Sequence, residues 1–327
     1  DIEPATAHRL ALVGFVVQFR AERERMHDLG IVIVNWNTRD YLKRCLETIM
    51  ASVGDFSYRV VLVDNASSDG SADMVRAEFP SVEVIASTVN GGYPYGNNLG
   101  LRALGYRGVG DVSPDAPRYA LLLNPDTELP PDALYNMIQF MDSRPDIGAA
   151  GPKLVLEDGS LDLACRRSFP TPMVSLYRFS GLSRLFPQHP RFGRYNMTFV
   201  DPDQELEVDS VVGAYMQVRR EAIEKIGLLD ETFFMYGEDL DWAFRIKQAG
   251  WKVFYHPQVV VKHIKRAASR KSQKAQFEFQ RAMLIFYRKH YQATTPWLLH
   301  NLVMLGLLLK GGRGLLPEMR QPLPANS

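Results

Sequence analysis

An α/β protein built on a mainly parallel sheet, with a helical C-terminal extension, is what this sequence predicts. Three observations carry that expectation. Short apolar runs at 30–34, 59–63, 82–86 and 119–123 alternate with segments of helical periodicity. Each run stops at a loop of small polar residues. The 327 residues are 46% hydrophobic and 23% charged, enough for a sizeable core of ordinary globular composition. Strands and helices alternating at this spacing imply right-handed crossovers and functional loops along the carboxyl edge of the sheet.

The first run ends at Asn35-Trp36-Asn37-Thr38, and the stripe Tyr41, Leu42, Cys45, Leu46 and Ile49 marks a helix over 40–51 with Thr38 as N-cap. The second run ends at Asp64-Asn65-Ala66-Ser67-Ser68-Asp69-Gly70-Ser71 before a helix that reaches Phe79. After the third strand, Asn90-Gly91-Gly92-Tyr93-Pro94-Tyr95-Gly96-Asn97-Asn98 opens a helix carrying Leu99, Leu101 and Leu104. Residues 105–117, rich in Gly, Asp, Ser and Pro, read as a surface loop.

The fourth run, 119–123, is cut off by Asn124-Pro125, because proline supplies no ladder donor and holds the residue before it extended. Asp126 and Glu128 therefore stand just past a strand's carboxyl end. A helix over 132–143 and a strand over 147–152 follow. Prolines 170, 172, 187, 190 and 202 break the segment 156–204, which reads either as a partner-dependent insert or as a packed irregular loop. Beyond it come one extended element over 208–218, helices over 220–226 and 240–249, and a strand over 253–261 ending in Lys262-His263. Helices over 272–291 and 297–309 close the chain.

Composition excludes some functions. Lys+Arg 38 against Asp+Glu 37 leaves a formal net charge of +1, so no global field argues for nucleic acid. Cys45 and Cys165 are the only cysteines, no Cys/His spacing resembles a zinc site, and Cys45 reads as a core thiol; a reduced cytosolic protein fits. The apolar stretch from His8 to Val17 lacks a cleavage site and is too short to span a bilayer, so 5–27 reads as an added amphipathic helix.

Several polar residues invite two readings. Asp64, directly after a strand, suits a base imide N–H, and equally an Asx-turn. Glu238-Asp239 stand where helix N-terminal acids are favoured by the dipole, and Asp241 with Arg245 reads as an i,i+4 surface pair. His263 is either a ligand or a hydrogen-bonded structural histidine. Trp36 and Trp242 suit stacking on sugar or base, or core packing.

Taken together, Val34-Asn35-Trp36-Asn37, Val63-Asp64-Asn65-Ala66-Ser67, Asn90-Gly91-Gly92 with Gly96-Asn97-Asn98, Asn124-Pro125-Asp126 and Gly237-Glu238-Asp239 resemble the family-two inverting glycosyltransferases, and within them the bacterial rhamnosyltransferase-like branch. The resemblance runs from about Gly30 to Tyr291. It implies a Rossmann-like A-type glycosyltransferase fold and transfer of a sugar from a nucleoside diphosphate donor with a divalent metal, Mg²⁺ or Mn²⁺. It further implies that 1–28 is an N-terminal extension, 29–265 the catalytic domain with a donor half (29–128) and an acceptor half (129–265), and 266–327 a helical region.

By position, the resemblance makes Asn35, Asn37, Asp64, Asn90, Gly91, Asn97 and Asn124 the donor pocket, with Asp64 on the base. Asp126 becomes the aspartate that anchors the metal, with His263 as its second ligand, and Asp239 the catalytic base beside Glu238. Asn124 stands where the general signature Asp-X-Asp has its first carboxylate, so one carboxylate of that signature remains, and Glu128 reads as its neighbour rather than a ligand. A hard cation between carboxylate and diphosphate neutralises a leaving group without a proton donor, and inversion needs one base. The branch favours L-rhamnose from dTDP-rhamnose, with UDP-sugars as the alternative donors, and a glycan or polyprenyl-linked acceptor in surface polysaccharide synthesis.

The expected setting is the cytoplasm, with peripheral attachment to the inner face of the inner membrane. The 297–309 segment, interrupted by His300 and Asn301, reads as a packing helix, a homodimer contact or an interfacial anchor. The cations at 265–271 suit phosphates of a donor or lipid carrier, or a solvated loop. Of other classes, a dinucleotide-dependent oxidoreductase would need a Gly-X-Gly-X-X-Gly turn after the first strand, where Asn-Trp-Asn stands. A non-catalytic sugar-nucleotide-binding protein would have no use for Asp126 and Asp239.

Overall fold

In the computed structural model, residues 26–265 and 273–322 are described. The helix expected over 5–27 falls outside them apart from Met26 and His27, which are not helical, and so do Arg266, Ser269, Arg270 and Lys271. The chain runs β1 (Leu29–Asn35), α1 (Arg39–Met50), β2 (Tyr58–Asn65), α2 (Ser71–Glu78), β3 (Glu83–Ser87) and α3 (Tyr93–Ala103). A short hairpin, β4 (Tyr106–Gly108) and β5 (Asp111–Val112), precedes β6 (Tyr119–Leu123), β7 (Thr127–Glu128), α4 (Ala133–Asp142) and β8 (Ile147–Val155). After α5 (Pro172–Phe179) and α6 (Leu182–Leu185) come β9 (Leu206–Val208), β10 (Tyr215–Arg219), α7 (Arg220–Ile226), α8 (Glu238–Gln248) and β11 (Lys252–His263). Helices α9 (Gln273–His290), α10 (Trp297–Gly311) and α11 (Leu315–Arg320) end the described chain.

Nine strands form one sheet in the order β3-β2-β1-β6-β10-β8-β11-β7, with β9 also paired to β11. The β3-β2-β1-β6 half is parallel, and β10 runs antiparallel between β6 and β8. Every residue of β1 is buried, which requires cover on both faces and explains its unbroken apolar run. One cover is α3, whose glycines permit close approach: a Cβ at Gly96 would meet Val34 at 2.7 Å, and one at Gly100 would meet Val32 at 2.4 Å. That contact seats the N-terminus of α3 at the sheet's carboxyl edge.

Several local expectations change. Thr38 does not cap α1; its hydroxyl donates to Asn35 Oδ1, and the Arg39 amide goes to Asp69 Oδ2 at 2.9 Å across the loop. The 105–117 loop contains the β4–β5 hairpin, held by the Arg220 guanidinium donating to the Ser113, Pro114 and Ala116 carbonyls. The single element over 208–218 is two pieces, β9, antiparallel to β11, and β10, antiparallel to β6 and β8. Between them Ser210 pairs with Arg167 through both backbone groups, at 2.9 and 3.1 Å, and draws the chain off the sheet. Segment 156–204 is the packed loop of the two readings: Arg166, 1% exposed, donates to the Val200 and Asp201 carbonyls.

Asp241 is not a surface residue. Its side chain is fully buried, and it accepts from Arg245 at 2.9 Å, from Lys289 at 2.9 Å and from His290 at 2.8 Å, so the i,i+4 pair is one edge of a network tying α8 to α9. Burial alone would raise its pKa, but His290, Arg245 and Lys289 outweigh it and hold the carboxyl well below the usual range. The C-terminal helices carry a second small core of Leu284, Tyr287, Val303, Leu307 and Leu315. Among the described residues no helix is long and apolar enough to cross a membrane.

Replacing Asp241 with Asn leaves the cations of Arg245 and Lys289, with the His290 ring, facing one neutral amide. Loss of a buried partner of this kind costs about 3–5 kcal/mol, to be read as a lower urea midpoint at neutral pH. A loss below about 1 kcal/mol would place the network among weak surface pairs.

Candidate active site

The first three polar loops interlock at the carboxyl edge. Asn35, fully buried at the end of β1, donates through Nδ2 to Asp64 Oδ1 at 3.0 Å and to Ser67 Oγ at 3.1 Å. Asp64 is 4% exposed, and its Oδ2 also accepts from the Ser67 amide at 3.0 Å, so the Asx-turn is present and uses part of its accepting capacity. Asn37 adopts a left-handed φ of 52° and accepts from the Ser68 amide at 2.8 Å. Asn65 clasps the glycine loop from below, donating to Asn90 Oδ1 at 3.0 Å and to the Gly92 carbonyl at 3.0 Å while accepting from the Gly91 amide. Gly92 has φ 94°, and a Cβ there would lie 2.3 Å from the Phe234 carbonyl oxygen. Asn97 is fully buried on α3, donates to the Tyr93 carbonyl, and leaves Oδ1 without a partner. An orphaned buried acceptor of this kind costs stability unless something outside the chain satisfies it.

Asn124 is bound through its backbone, the amide to the Ala214 carbonyl and the carbonyl to Thr127 Oγ1. Cys45 packs beneath it, and burial pushes that thiol up to about 12, consistent with a core residue. Strand β7 pairs antiparallel with the end of β11, matching Thr127 to His263 and Glu128 to Lys262. That pairing brings His263 Nε2 to 3.4 Å from Asp126 Oδ1. The other ring nitrogen, Nδ1, lies 2.9 Å from Asp162 Oδ2. Burial alone would lower the His263 pKa, but Asp126 and Asp162 overcome it, and the net shift is upward. Glu128 faces away, towards Arg44 and Lys262. Among the described residues no cluster of three or more His, Cys, Asp or Glu is arranged to hold a metal.

Asp239 is 4% exposed, and both of its carboxylate oxygens accept hydrogen bonds. Its Oδ2 accepts from Arg167 at 2.7 Å and from the Gly213 amide at 3.0 Å, and its Oδ1 accepts from the Leu240 amide at 2.7 Å. Burial would lower the Arg167 pKa, but the Asp239 charge reverses that and holds the guanidinium cationic. Glu238 has the opposite environment. It is 5% exposed, its Oε2 has no partner, and burial together with the Asp239 charge pushes its pKa up to about 8. Tyr93 links the two sides. Its hydroxyl donates to the Gly213 carbonyl at 2.8 Å, and its pKa is raised well above the usual value by burial and by the charges of Glu238, Asp239 and Asp126.

Trp242 is fully buried with Nε1 on the Gly227 carbonyl, the core alternative, whereas Trp36 is 56% exposed beside the site. Tyr93, Asp162 and Arg167 are the residues that reading the sequence passes over. Tyr93 carries a signal, as the first helical residue after the Gly-Gly turn. Asp162 and Arg167 lie in the proline-broken segment, where no periodicity marks them.

Solved structures of the same architecture are glycosyltransferases of the A-type fold. The mannosyltransferase PcManGT from Pyrobaculum calidifontis, in complex with GDP-Man and Mn2+, aligns at a TM-score of 0.54 and 15% identity over 93% of this chain and 81% of its own. GalNAc-T7 with UDP, GalNAc and Mn2+ aligns at 0.56 and 15% identity, over 91% of this chain and 59% of that one. Residues 27–280 match the profile of glycosyltransferase-like family 2, and the chain belongs to that family. Its relatives include the N-acetylglucosaminyl-diphospho-decaprenol L-rhamnosyltransferase of Mycobacterium tuberculosis, 29% identical over 240 residues that cover 72% of this chain and 76% of the relative. Rhamnosyltransferase WbbL of Escherichia coli K12 is 26% identical over 230 residues, covering 69% and 80%.

Glu238 makes the fold pH-sensitive. With its pKa raised from 4.5 to about 8, the folded chain keeps a proton that the unfolded chain has released, so this group's contribution to stability declines as pH rises between those values. Thermal unfolding from about pH 5 to about pH 9 should show a shallower decline for Glu238→Gln than for the parent. An identical slope would mean Glu238 is ionised throughout.

Proposed function

We propose that the chain is an inverting glycosyltransferase that moves L-rhamnose from dTDP-rhamnose to a lipid-linked glycan acceptor in bacterial surface polysaccharide synthesis, working at the cytoplasmic face of the inner membrane. One observation carries the reading: Tyr93, which opens α3 straight after the Asn90-Gly91-Gly92 loop, places its hydroxyl on the Gly213 carbonyl at 2.8 Å, and the Gly213 amide donates to Asp239 at 3.0 Å, so the loop assigned to the donor and the carboxylate assigned as base adjoin. The two rhamnosyltransferases among the relatives support the donor sugar, and the diphospho-decaprenol acceptor in the name of one supports the lipid-linked acceptor.

In this reading Asn35, Asn37, Asp64, Asn90, Gly91, Asn97 and Asn124 frame the nucleotide. Asp64, with lone pairs left over from its Asx-turn, accepts from the base, and the backbone approach at Gly91-Gly92 admits the nucleotide. Asp126 and His263 would hold the divalent cation. The donor set fits: with Nδ1 facing Asp162, His263 turns Nε2 towards Asp126, the arrangement of a carboxylate-oriented histidine ligand. A hard cation there supplies charge neutralisation to the departing diphosphate. Two protein ligands are few for such a cation, so its binding would be coupled to that of the donor.

Asp239 takes the acceptor hydroxyl's proton as that oxygen attacks the anomeric carbon opposite the leaving group. Its Oδ1 accepts one backbone bond and retains capacity for a hydroxyl, while Arg167 and Gly213 fix the carboxylate plane through Oδ2. Glu238, protonated below about 8, has an O–H to donate to an acceptor oxygen.

Nucleoside diphosphate release from purified protein, measured across dTDP- and UDP-sugars with Mn²⁺ or Mg²⁺, tests the reading. dTDP-rhamnose should be the preferred donor. Asp239→Asn should lower turnover by about two to four orders of magnitude, the usual span of general-base catalysis, with dTDP binding retained. Asp126→Ala should abolish the metal dependence of donor binding. A preferred UDP-sugar would overturn the donor assignment, and undiminished turnover in Asp239→Asn would remove the base.

A further inference from the structure

The segment that interrupts the sheet and the C-terminal helices line a solvent-open cavity of about 390 Å³ remote in sequence from the loops assigned to the donor. That volume lies in the range of small-molecule sites, about 300–1,000 Å³. Its apolar wall comes from Phe179, Phe192, Met283, Val303 and Leu307, and its rim from Arg178, Arg184 and Lys310. No Asp or Glu lines it, and none of the three cations has an ion-pair partner among the described residues. The contact that closes it is specific: a Cβ at Gly306 of α10 would lie 2.3 Å from the Phe179 ring, so α5 and α10 meet at their closest approach.

Greasy walls under an uncompensated cationic rim suit an amphiphile with a phosphorylated head. Cations left unpaired beside an anionless cavity favour an anion, and Arg in particular favours phosphate. The wall is also wired to the reaction centre. Arg178 stacks at 4.1 Å on the ring of Tyr195, which lines the cavity, Tyr195 lies beside Arg167, and Arg167 holds Asp239. The same helix α10 carries an exposed stripe, Leu298, Leu302, Leu305 and Leu309, at i, i+4, i+7 and i+11, with Trp297 exposed at one end and Lys310 and Arg313 at the other. That pattern is an interfacial one, apolar on its outer face with an aromatic and cations at the margins.

We infer that this cavity binds the phosphate-headed isoprenoid anchor of the acceptor, its head on Arg178, Arg184 and Lys310 and its first isoprene units against Phe179, Met283 and Leu307. The inference rests on the lipid-linked acceptor of the proposed function and gives that acceptor a second point of attachment, apart from the sugar that meets Asp239. A lipid bound there lies one wall away from the Arg167–Asp239 pair, so acceptor occupancy and base position are joined through Tyr195.

Calorimetric titration of the full chain with farnesyl diphosphate, inorganic diphosphate and farnesol tests it. Farnesyl diphosphate should bind at least tenfold more tightly than either fragment, should not be displaced by dTDP, and should lose at least tenfold in affinity in Arg178→Gln/Lys310→Gln. The double variant should bind dTDP as the parent does, which checks its folding. Equal binding of farnesyl diphosphate and inorganic diphosphate, displacement by dTDP, or unchanged affinity in the double variant would each overturn the site. The transferase reading fails separately, through the absence of nucleoside diphosphate release from any dTDP- or UDP-sugar, and that failure leaves the lipid titration free to support or overturn the cavity by itself.

Discussion

The surroundings of Asp239 depend on one desolvated ion pair, Arg167 with Asp239. Neither group is more than 8% exposed at its side chain, and an isolated charge in such a place would be expelled or neutralised. Each therefore enforces the other. Arg167 also donates to the Val211 carbonyl and pairs by its backbone with Ser210, so one residue fastens the proline-rich segment, the turn before β10 and the start of α8 together. Asp239 meets a cation there, and the neighbouring Glu238 is left as the carboxyl whose charge is suppressed. Two adjacent acids thus have opposite surroundings because one has a guanidinium and the other does not.

The surroundings of Asp126 obey a different constraint. There the decisive feature is backbone register, since the two-residue β7 pairs with the last residues of a twelve-residue strand and so brings His263 to Asp126. Asp162 takes the far nitrogen of the same ring. A histidine between two carboxylates holds its proton firmly, and a cation entering there has that proton to displace. Tyr93 stands between the two sides, its hydroxyl on Gly213, the residue whose amide serves Asp239.

Much of the fold is legible in the sequence because its strands are buried on both faces and therefore unbroken in apolarity. β1, β2 and β6 are of that type, and the loops after them reveal themselves by glycine, asparagine and the Asn124-Pro125 stop. Asp64, Asp126 and Asp239 stand out for the same reason, each directly following a legible boundary. What is not legible depends on contacts made across long sequence separations. Asp241 and Arg245 have the spacing of a surface pair, and only the approach of α9 turns them into a buried network. Arg167 and Asp162 sit where prolines erase periodicity, so their importance arises wholly from what they touch. The break at 209–214 likewise accompanies the backbone pairing of Ser210 with Arg167, a contact made across a long sequence separation.

In the proposed mechanism one base, Asp239, faces a metal-assisted leaving group, which would give one stereochemical outcome with no covalent glycosyl-enzyme stage. The most direct measurement is the anomeric configuration of the first product formed by purified protein with dTDP-rhamnose, read by proton NMR before any equilibration. An anomer opposite to that of the donor is the result the arrangement of Asp126, Asp239 and Arg167 predicts. Retention of the donor's configuration would contradict it, because a single displacement by an acceptor oxygen deprotonated by Asp239, from the face opposite the leaving group, inverts the anomeric centre.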